Sequence, residues 1–360
     1  MTERKYSENK SFKNVGRLGL GLLLGIAGLH SSAAYSQQAT DPVAEIMLLC
    51  QRDNGGWSKA LNGKAIVYTA PFSDSQIADI KSQHAKKDAT IDNNATTKEI
   101  NYLLKTYQKT HHAAYLAAAE KGLDYLLEAQ YDNGGWPQYY PDSSLYRSQV
   151  TFNDNAIINV MILLNNVAKH TAQFEAVDPK YIPPATTAVK KGIDCILKTQ
   201  IIVDGKKTAW NQQYNKTTLQ PEMARAFELV GLATSESVAI VKFLMEQPHP
   251  SEEVKDAINS AMAWFKEVAI HDYATKVIPA PNEVKGKDVL LVKSPGATIW
   301  ARFYEIGTNR PFFSGRNSEK KYDLKEIENE RRAGYKWYGN WPEQLLRKDY
   351  ANWLKKNSHS

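Results

Sequence analysis

Apolar residues recur at three- and four-residue spacing along most of this chain, in blocks that predict helices. The blocks are EIMLLCQ ending at Gln51, Lys98–Leu116, KGLDYLLEAQ ending at Gln130, Ile157–Lys169, KGIDCILKTQ ending at Gln200, Ser235–Met245 and Ser251–Val268. The last opens Ser-Glu-Glu-Val, a capping serine followed by acids that suit the positive end of a helix. His249 and Pro250 separate it from the block before. In Thr217–Gly231, TTLQPEMARAFELVG, the spacing predicts a loop and then a helix, with Pro221 in its first turn and Ala224, Phe227, Leu229 and Val230 as the core-facing stripe. Only Asp288–Lys293, DVLLVK, reads as a strand, within a short hairpin. The tail IENERRAGYKWYGNWPEQLL mixes charge with rings and is expected to wrap the outside.

Three of these helices end alike. Each closes on a glutamine and runs into a glycine-containing loop that carries a tryptophan: Gln51 to Trp57, Gln130 to Trp136, and Gln200 to Trp210. Glycine past a helix end takes backbone angles other residues resist. A polar stretch follows each loop, at Asp88–Thr97, Thr151–Ile157 and Thr217–Arg225. A repeat of this length built from helix pairs predicts a helical ring, with buried inner helices and one set of loops meeting over a central cleft. The Gln-x-x-x-Gly-x-Trp pattern also resembles the repeat of triterpene cyclases. The acid-rich motifs those enzymes need are absent, so the pattern reads as a device of helical rings.

The N-terminus changes the picture of where the chain works. Lys10, Lys13 and Arg17 precede an apolar run, Leu18–Leu29, too short to span a bilayer comfortably, and small residues follow up to Ser36. Residues 1–36 read as a secretory signal, with an anchoring helix as the competing reading, and residues 37–360 as one domain. No other segment is apolar enough to cross a membrane. The signal carries Arg4, Lys5, Lys10, Lys13 and Arg17 against Glu3 and Glu8, a net +3; of the chain's +6 that leaves +3 for the remainder. Such a balance suits an acidic polymer and excludes the dense basic stripe of a nucleic-acid binder. The two cysteines, Cys50 and Cys195, lie in apolar helical runs and read as buried free thiols rather than a disulfide.

Asp92 and Asp154 follow two of the repeats at what read as matching places, in Asn/Asp-rich stretches. Helix capping accounts for such residues; alternatively, the repeat aims both carboxylates into one cleft, where they suit a hard cation such as Ca²⁺. No EF-hand loop and no His/Cys cluster is present. Arg225 is either one half of a structural ion pair or a group aimed into that cleft. Arg302, Arg310 and Arg316 stand among aromatics in WARFYEIGTNRPFFSGR. Guanidinium forks hold carboxylates in two-point contacts, and rings such as Trp136 and Trp210 stack on sugar faces. That composition suits a polymer of uronic acids, the alternative being ion pairs buried under a loop.

Together DNGGWPQYYP (132–141), TFNDNA (151–156), TLQPEMARAFELVG (218–231), WARFYEIGTNRPFFSGR (300–316) and ERRAGYKWYG (330–339) resemble the pectate lyases of polysaccharide lyase family 10. The resemblance covers nearly all of residues 37–360. It implies a mainly α fold, an (α/α)₃ toroid with a few short strands, and Ca²⁺-dependent β-elimination of polygalacturonate. It further implies Asp92 and Asp154 at the calcium site, Arg225 as the catalytic base, and Arg302 and Arg316 on substrate carboxylates. Because a free guanidinium stays protonated to pH ~12, that role calls for neighbouring cations and burial to depress the Arg225 pKa, and for alkaline activity. Asn94 departs from the Asp usual in the family, and Tyr214 and Asn215 stand where His-Asp is frequent. Expected besides are a secreted or periplasmic monomer and no nucleic-acid partner. The rivals are a glycoside hydrolase using Asp92 and Asp154 as acid and base, and a pectin-binding protein without activity.

Overall fold

Six helices, packed as three antiparallel pairs, carry the fold of the computed structural model. The structure describes residues 39–142 and 144–357; the segment read as a secretory signal lies outside the described residues. A short helix α1 (Pro42–Cys50) and α2 (Asp74–Ser82) come first. The pairs are α3 (Thr97–Thr110) with α4 (Ala113–Glu128), α5 (Ala156–Lys169) with α6 (Ile182–Thr199), and α7 (Thr234–Met245) with α8 (Glu252–Glu267). Helices α3, α5 and α7 touch in succession, as do α4, α6 and α8, and α1 packs over the first pair. The architecture is that of an (α/α)₃ toroid, and the described residues belong to one compact unit.

The repeat seen in the sequence has a physical basis in hydrogen bonds. The Gln51 amide donates to the carbonyl of Gly55 in its own loop and to that of Ala118 on α4, both at 2.8 Å. Gln130 bridges Gly134 and Ala188 on α6 in the same way, and Gln200 bridges Thr208 and Ala257 on α8. Each glutamine thus ties a loop to the outer helix of the next pair. The loop tryptophans fill the core, with indole N–H groups donating to Met47, Leu126 and Ile196 carbonyls. Trp300 supplies a fourth copy, donating to Phe265. Gly134 is required twice over: its φ is +91°, and a Cβ there would stand 1.9 Å from the Lys191 carbonyl oxygen of α6.

Three expectations need correction. The segment read as one helix over Lys98–Leu116 is two, because His111 takes a left-handed backbone and turns the chain. No helix follows Pro221. Pro221–Glu222 pairs instead with Gln213–Tyr214, which pairs with Val150–Thr151 in a three-stranded sheet. Asn215 fixes the turn by accepting from the backbone N–H groups of Thr217 and Thr218, and Pro221 disfavours helical angles at Gln220. Third, the strand around Asp288–Lys293 belongs to a long hairpin, Ile270–Pro279 against Lys287–Ala301. Cys50 and Cys195 are buried and unpaired with each other, as expected; burial pushes both thiols up to about 12.

Candidate active site

The site is assembled where the helix row α3, α5, α7 begins. Before α3 and before α5 the chain makes a single tight turn, Asp92–Asn94 and Asn153–Asn155, and the two turns pack together. Asn93 and Asp154 both take φ 50°, and Asn94 and Asn155 also lie in the left-handed region. Asn and Asp tolerate that region best among residues with a Cβ, which is why these stretches are rich in them. The angles also correct the repeat register: Asp92 corresponds to Asn153, and Asp154 to Asn93. Neither acid caps its helix by a side-chain hydrogen bond.

Asp92 is buried and paired with the ammonium of Lys59 through Oδ2, while its Oδ1 is buried without a hydrogen-bond partner. Asp154 is half-buried, with Oδ1 4.0 Å from Nη2 of Arg302. Burial raises the Asp154 pKa; Arg302 opposes this, Glu236 and Asp92 add to it, and Arg225 opposes it again. Asp154 thus has Arg302 beside it and the Asp92 turn packed against its own, and Arg225 is linked to Arg302 through Glu228 and Tyr335, so these predicted residues gather at the head of the helix row.

Arg302 is itself buried, paired with Glu236 of α7, and lies 4.8 Å above the Tyr335 ring. Gln212 joins this acid to the neighbouring turn, donating to Glu236 at 3.0 Å and to the Asn153 side-chain oxygen Oδ1 at 3.1 Å. Arg225 makes a two-point pair with Glu228, with Nε donating to Oε2 at 2.6 Å. Glu228 also accepts from the Tyr335 hydroxyl at 3.1 Å. For Arg225, burial pulls the pKa down, but the hydrogen bonds and charge of Glu228 outweigh it and the net shift is upward. The expectation of a depressed Arg225 is thereby corrected: its nearest charged partner is an acid, and it is held as a guanidinium.

Other predicted residues stand elsewhere. Trp136 and Trp210 have no exposed surface. A ring enclosed on both faces cannot stack on a sugar, so their part is in the core. Arg310 lies 3.6 Å from the Tyr322 ring, beside the Glu305–Lys320 pair. Exposed Arg316 makes a two-point pair with Glu330, which also holds Arg331 above Phe227. Of the departures, Tyr214 is buried with its hydroxyl accepting from the Asn211 N–H at 2.6 Å, and Asn215 makes the turn described above. Asn94 accepts from Asn159. The tail does more than wrap the outside, since Tyr335 reaches the site and Trp337 is buried.

Residues that sequence reasoning missed are Lys59, Gln212, Glu228, Glu236 and Tyr335. A signal existed for some of them. Lys59, Gln138, Gln212 and Arg302 each stand two residues after a buried loop tryptophan. Three of the four pair with an acid at the start of the helix row.

The pattern described as pectic acid lyase matches residues 51–346. The chain belongs to this family. It is a polysaccharide lyase, and two solved structures resemble it closely. The family 10 polysaccharide lyase from Cellvibrio cellulosa is 32% identical, over 88% of this chain and 92% of its own, with a TM-score of 0.75. A mutant of the family 10 lyase from that organism, solved in complex with trigalacturonic acid, is also 32% identical, over 87% and 92%, with a TM-score of 0.75. No curated protein sequence matches the lyase.

Among the described residues no group of three or more His, Cys, Asp or Glu could hold a metal ion. Two carboxylates do fit a loosely held hard cation. The unpartnered buried Oδ1 of Asp92 is a vacant donor, and Asp154 supplies a second carboxylate. Ca²⁺ takes six to eight oxygens, so substrate and water would fill most of its shell.

Proposed function

We propose that the lyase cleaves polygalacturonate by Ca²⁺-dependent β-elimination. The gathering of Asp92, Asp154, Arg225 and Arg302 at the head of the helix row carries this reading. It is supported by the likeness to a lyase solved with trigalacturonic acid. The proton at C5 of a galacturonate is weakly acidic because a carboxylate already stands beside it. Asp92 and Asp154 would hold Ca²⁺, which when bound neutralises that carboxylate. Arg302, fixed by Glu236 and the Tyr335 ring, holds the same carboxylate and steadies the negative charge that grows as the proton leaves.

Arg225 takes the C5 proton. Since Glu228 holds it protonated, a proton must leave it first, and Glu228 is already in hydrogen-bond contact to accept that proton. The C5 proton then goes to Arg225, the C4–O bond breaks, the released oxygen takes a proton from solvent, and Glu228 returns its proton to solvent. The new chain end is 4,5-unsaturated. Arg316 and Arg310 lie further out and would meet carboxylates along the polymer. With the leader read in residues 1–36, the lyase acts as a monomer in the periplasm or outside the cell.

Absorbance of polygalacturonate in the near ultraviolet tests the reading. It should rise with enzyme and Ca²⁺ and stop on adding a chelator. Chain shortening with consumption of water and no absorbance would establish a hydrolase instead.

A further inference from the structure

We propose that Lys59 is a built-in counter-ion of Asp92, which yields its place to the divalent cation and then takes a uronate carboxylate of the substrate. The proposal rests on the calcium reading above and adds a residue to it.

The position comes first. Lys59 stands two residues after Trp57, as Arg302 stands two residues after Trp300. Both loops are pinned by the same indole-to-carbonyl bond. The fold therefore offers two long cations from equivalent places, Arg302 against Glu236 and Lys59 against Asp92. Their surroundings differ. The Arg302 side chain is 10% exposed, whereas the Lys59 side chain is 37% exposed and Asp92 beneath it is 4% exposed. Lys59 can therefore leave without rebuilding the core, and Asp92 cannot.

A buried carboxylate is costly without a positive partner. In the free enzyme Lys59 is that partner, with an Asn93 amide as the other contact to the same oxygen. A dication on Asp92 makes the ammonium redundant and repels it. The nearest alternative place for the ammonium is already marked. It lies 5.8 Å from the Tyr139 ring, and Arg147 lies 4.9 Å from the same ring. Asp142, an acid beside this ring's Arg147, is committed to that arginine at 2.7 Å. A displaced Lys59 would leave two cations flanking a half-buried ring with a surplus positive charge. A sugar carboxylate matches that surplus, and a neutral sugar does not.

Titration calorimetry of the full chain with CaCl₂, and with trigalacturonate at saturating CaCl₂, tests this. Lys59→Met removes the competing charge while keeping most of the bulk. Its Ca²⁺ affinity should rise about tenfold, and its trigalacturonate affinity should fall about tenfold. Lys59→Arg should restore trigalacturonate binding. A purely structural Lys59 would weaken both affinities together. Equal Ca²⁺ affinity in parent and variant, or unchanged trigalacturonate affinity, overturns the proposal while leaving the calcium reading standing. If neither protein takes up Ca²⁺, with or without the sugar, both fall. Should Lys59→Met not fold, Lys59→Gln keeps a donor for Asp92 without the charge and must show the same two opposite shifts.

Discussion

Asp154 combines two costs in one residue. Its backbone lies in the left-handed region at φ 50°, and burial raises its carboxyl pKa above the ordinary 3.8. A carboxyl raised in the folded state binds more protons folded than unfolded. Between its unfolded and folded pKa values, stability therefore falls as pH rises, and above that window the cost is fully present. Asp154→Asn keeps the shape, tolerates the backbone angle and removes the charge. It should raise the unfolding midpoint at pH 7–8 by a degree or so. The gain should vanish below pH ~3, where the parent carboxyl is protonated too. Activity should fall on the order of 10²-fold or more, as for loss of one preorganised charge. Thermal melts at two pH values with parallel assays would show both effects, and a variant that is less stable at neutral pH would contradict the account. Glu228 invites the complementary change. If it receives the proton of Arg225, Glu228→Gln should lower kcat about 10²-fold with KM little altered. If it merely holds Arg225 charged, neutral-pH activity should rise instead. Sequence showed that acids and arginines were candidates, but Asn and Asp alternate too freely in these turns for register to be read without backbone angles. From sequence alone, Asp92 therefore aligns with Asp154 rather than with Asn153.

The elements were legible where periodicity is long, as in α5, α6 and α8, because a buried stripe on a helix leaves a direct trace in the sequence. They were illegible where short-range chemistry competes with tertiary pairing. Thr217–Gly231 contains good helix formers, yet the Asn215 turn and the strand partner at Gln213–Tyr214 decide its path. The loop tryptophans mislead for a related reason. A tryptophan that stacks on sugar and one that fills a core look alike singly, whereas recurrence of the same ring after every repeat points to the fold. The glutamines are part of that device and can be tested as such. Gln130→Leu preserves volume but leaves the Gly134 and Ala188 carbonyls without their donor. It should cost about 1–3 kcal/mol, seen as a lower urea midpoint at unchanged slope. Activity well below the transition should stay near the parent value, since the amide faces the joint between helix pairs and not the site residues.

Across the whole molecule the site draws on segments far apart in the chain, from Lys59 to Tyr335, and the last of these closes it. Tyr335 arrives on the C-terminal segment, lies against Phe227, Phe303 and Trp337, and puts its hydroxyl on Glu228 and its ring under Arg302. The three helix pairs pack on one another from pair to pair and through the glutamine bridges, while the C-terminal segment adds contacts on α8 beyond Leu345, away from Tyr335. Disturbing Tyr335 should therefore separate folding of the ring from completion of the site. Tyr335→Phe keeps the ring stack and loses the donor to Glu228 and the acceptor for Gln212, so a loss of about 0.5–1.5 kcal/mol in stability and a moderate fall in kcat are expected. Tyr335→Ala removes the platform as well. Its far-ultraviolet circular dichroism should match the parent while activity disappears and a protease cuts first within residues 327–346. Loss of helical signal in step with activity would instead make the C-terminal segment part of the folding core.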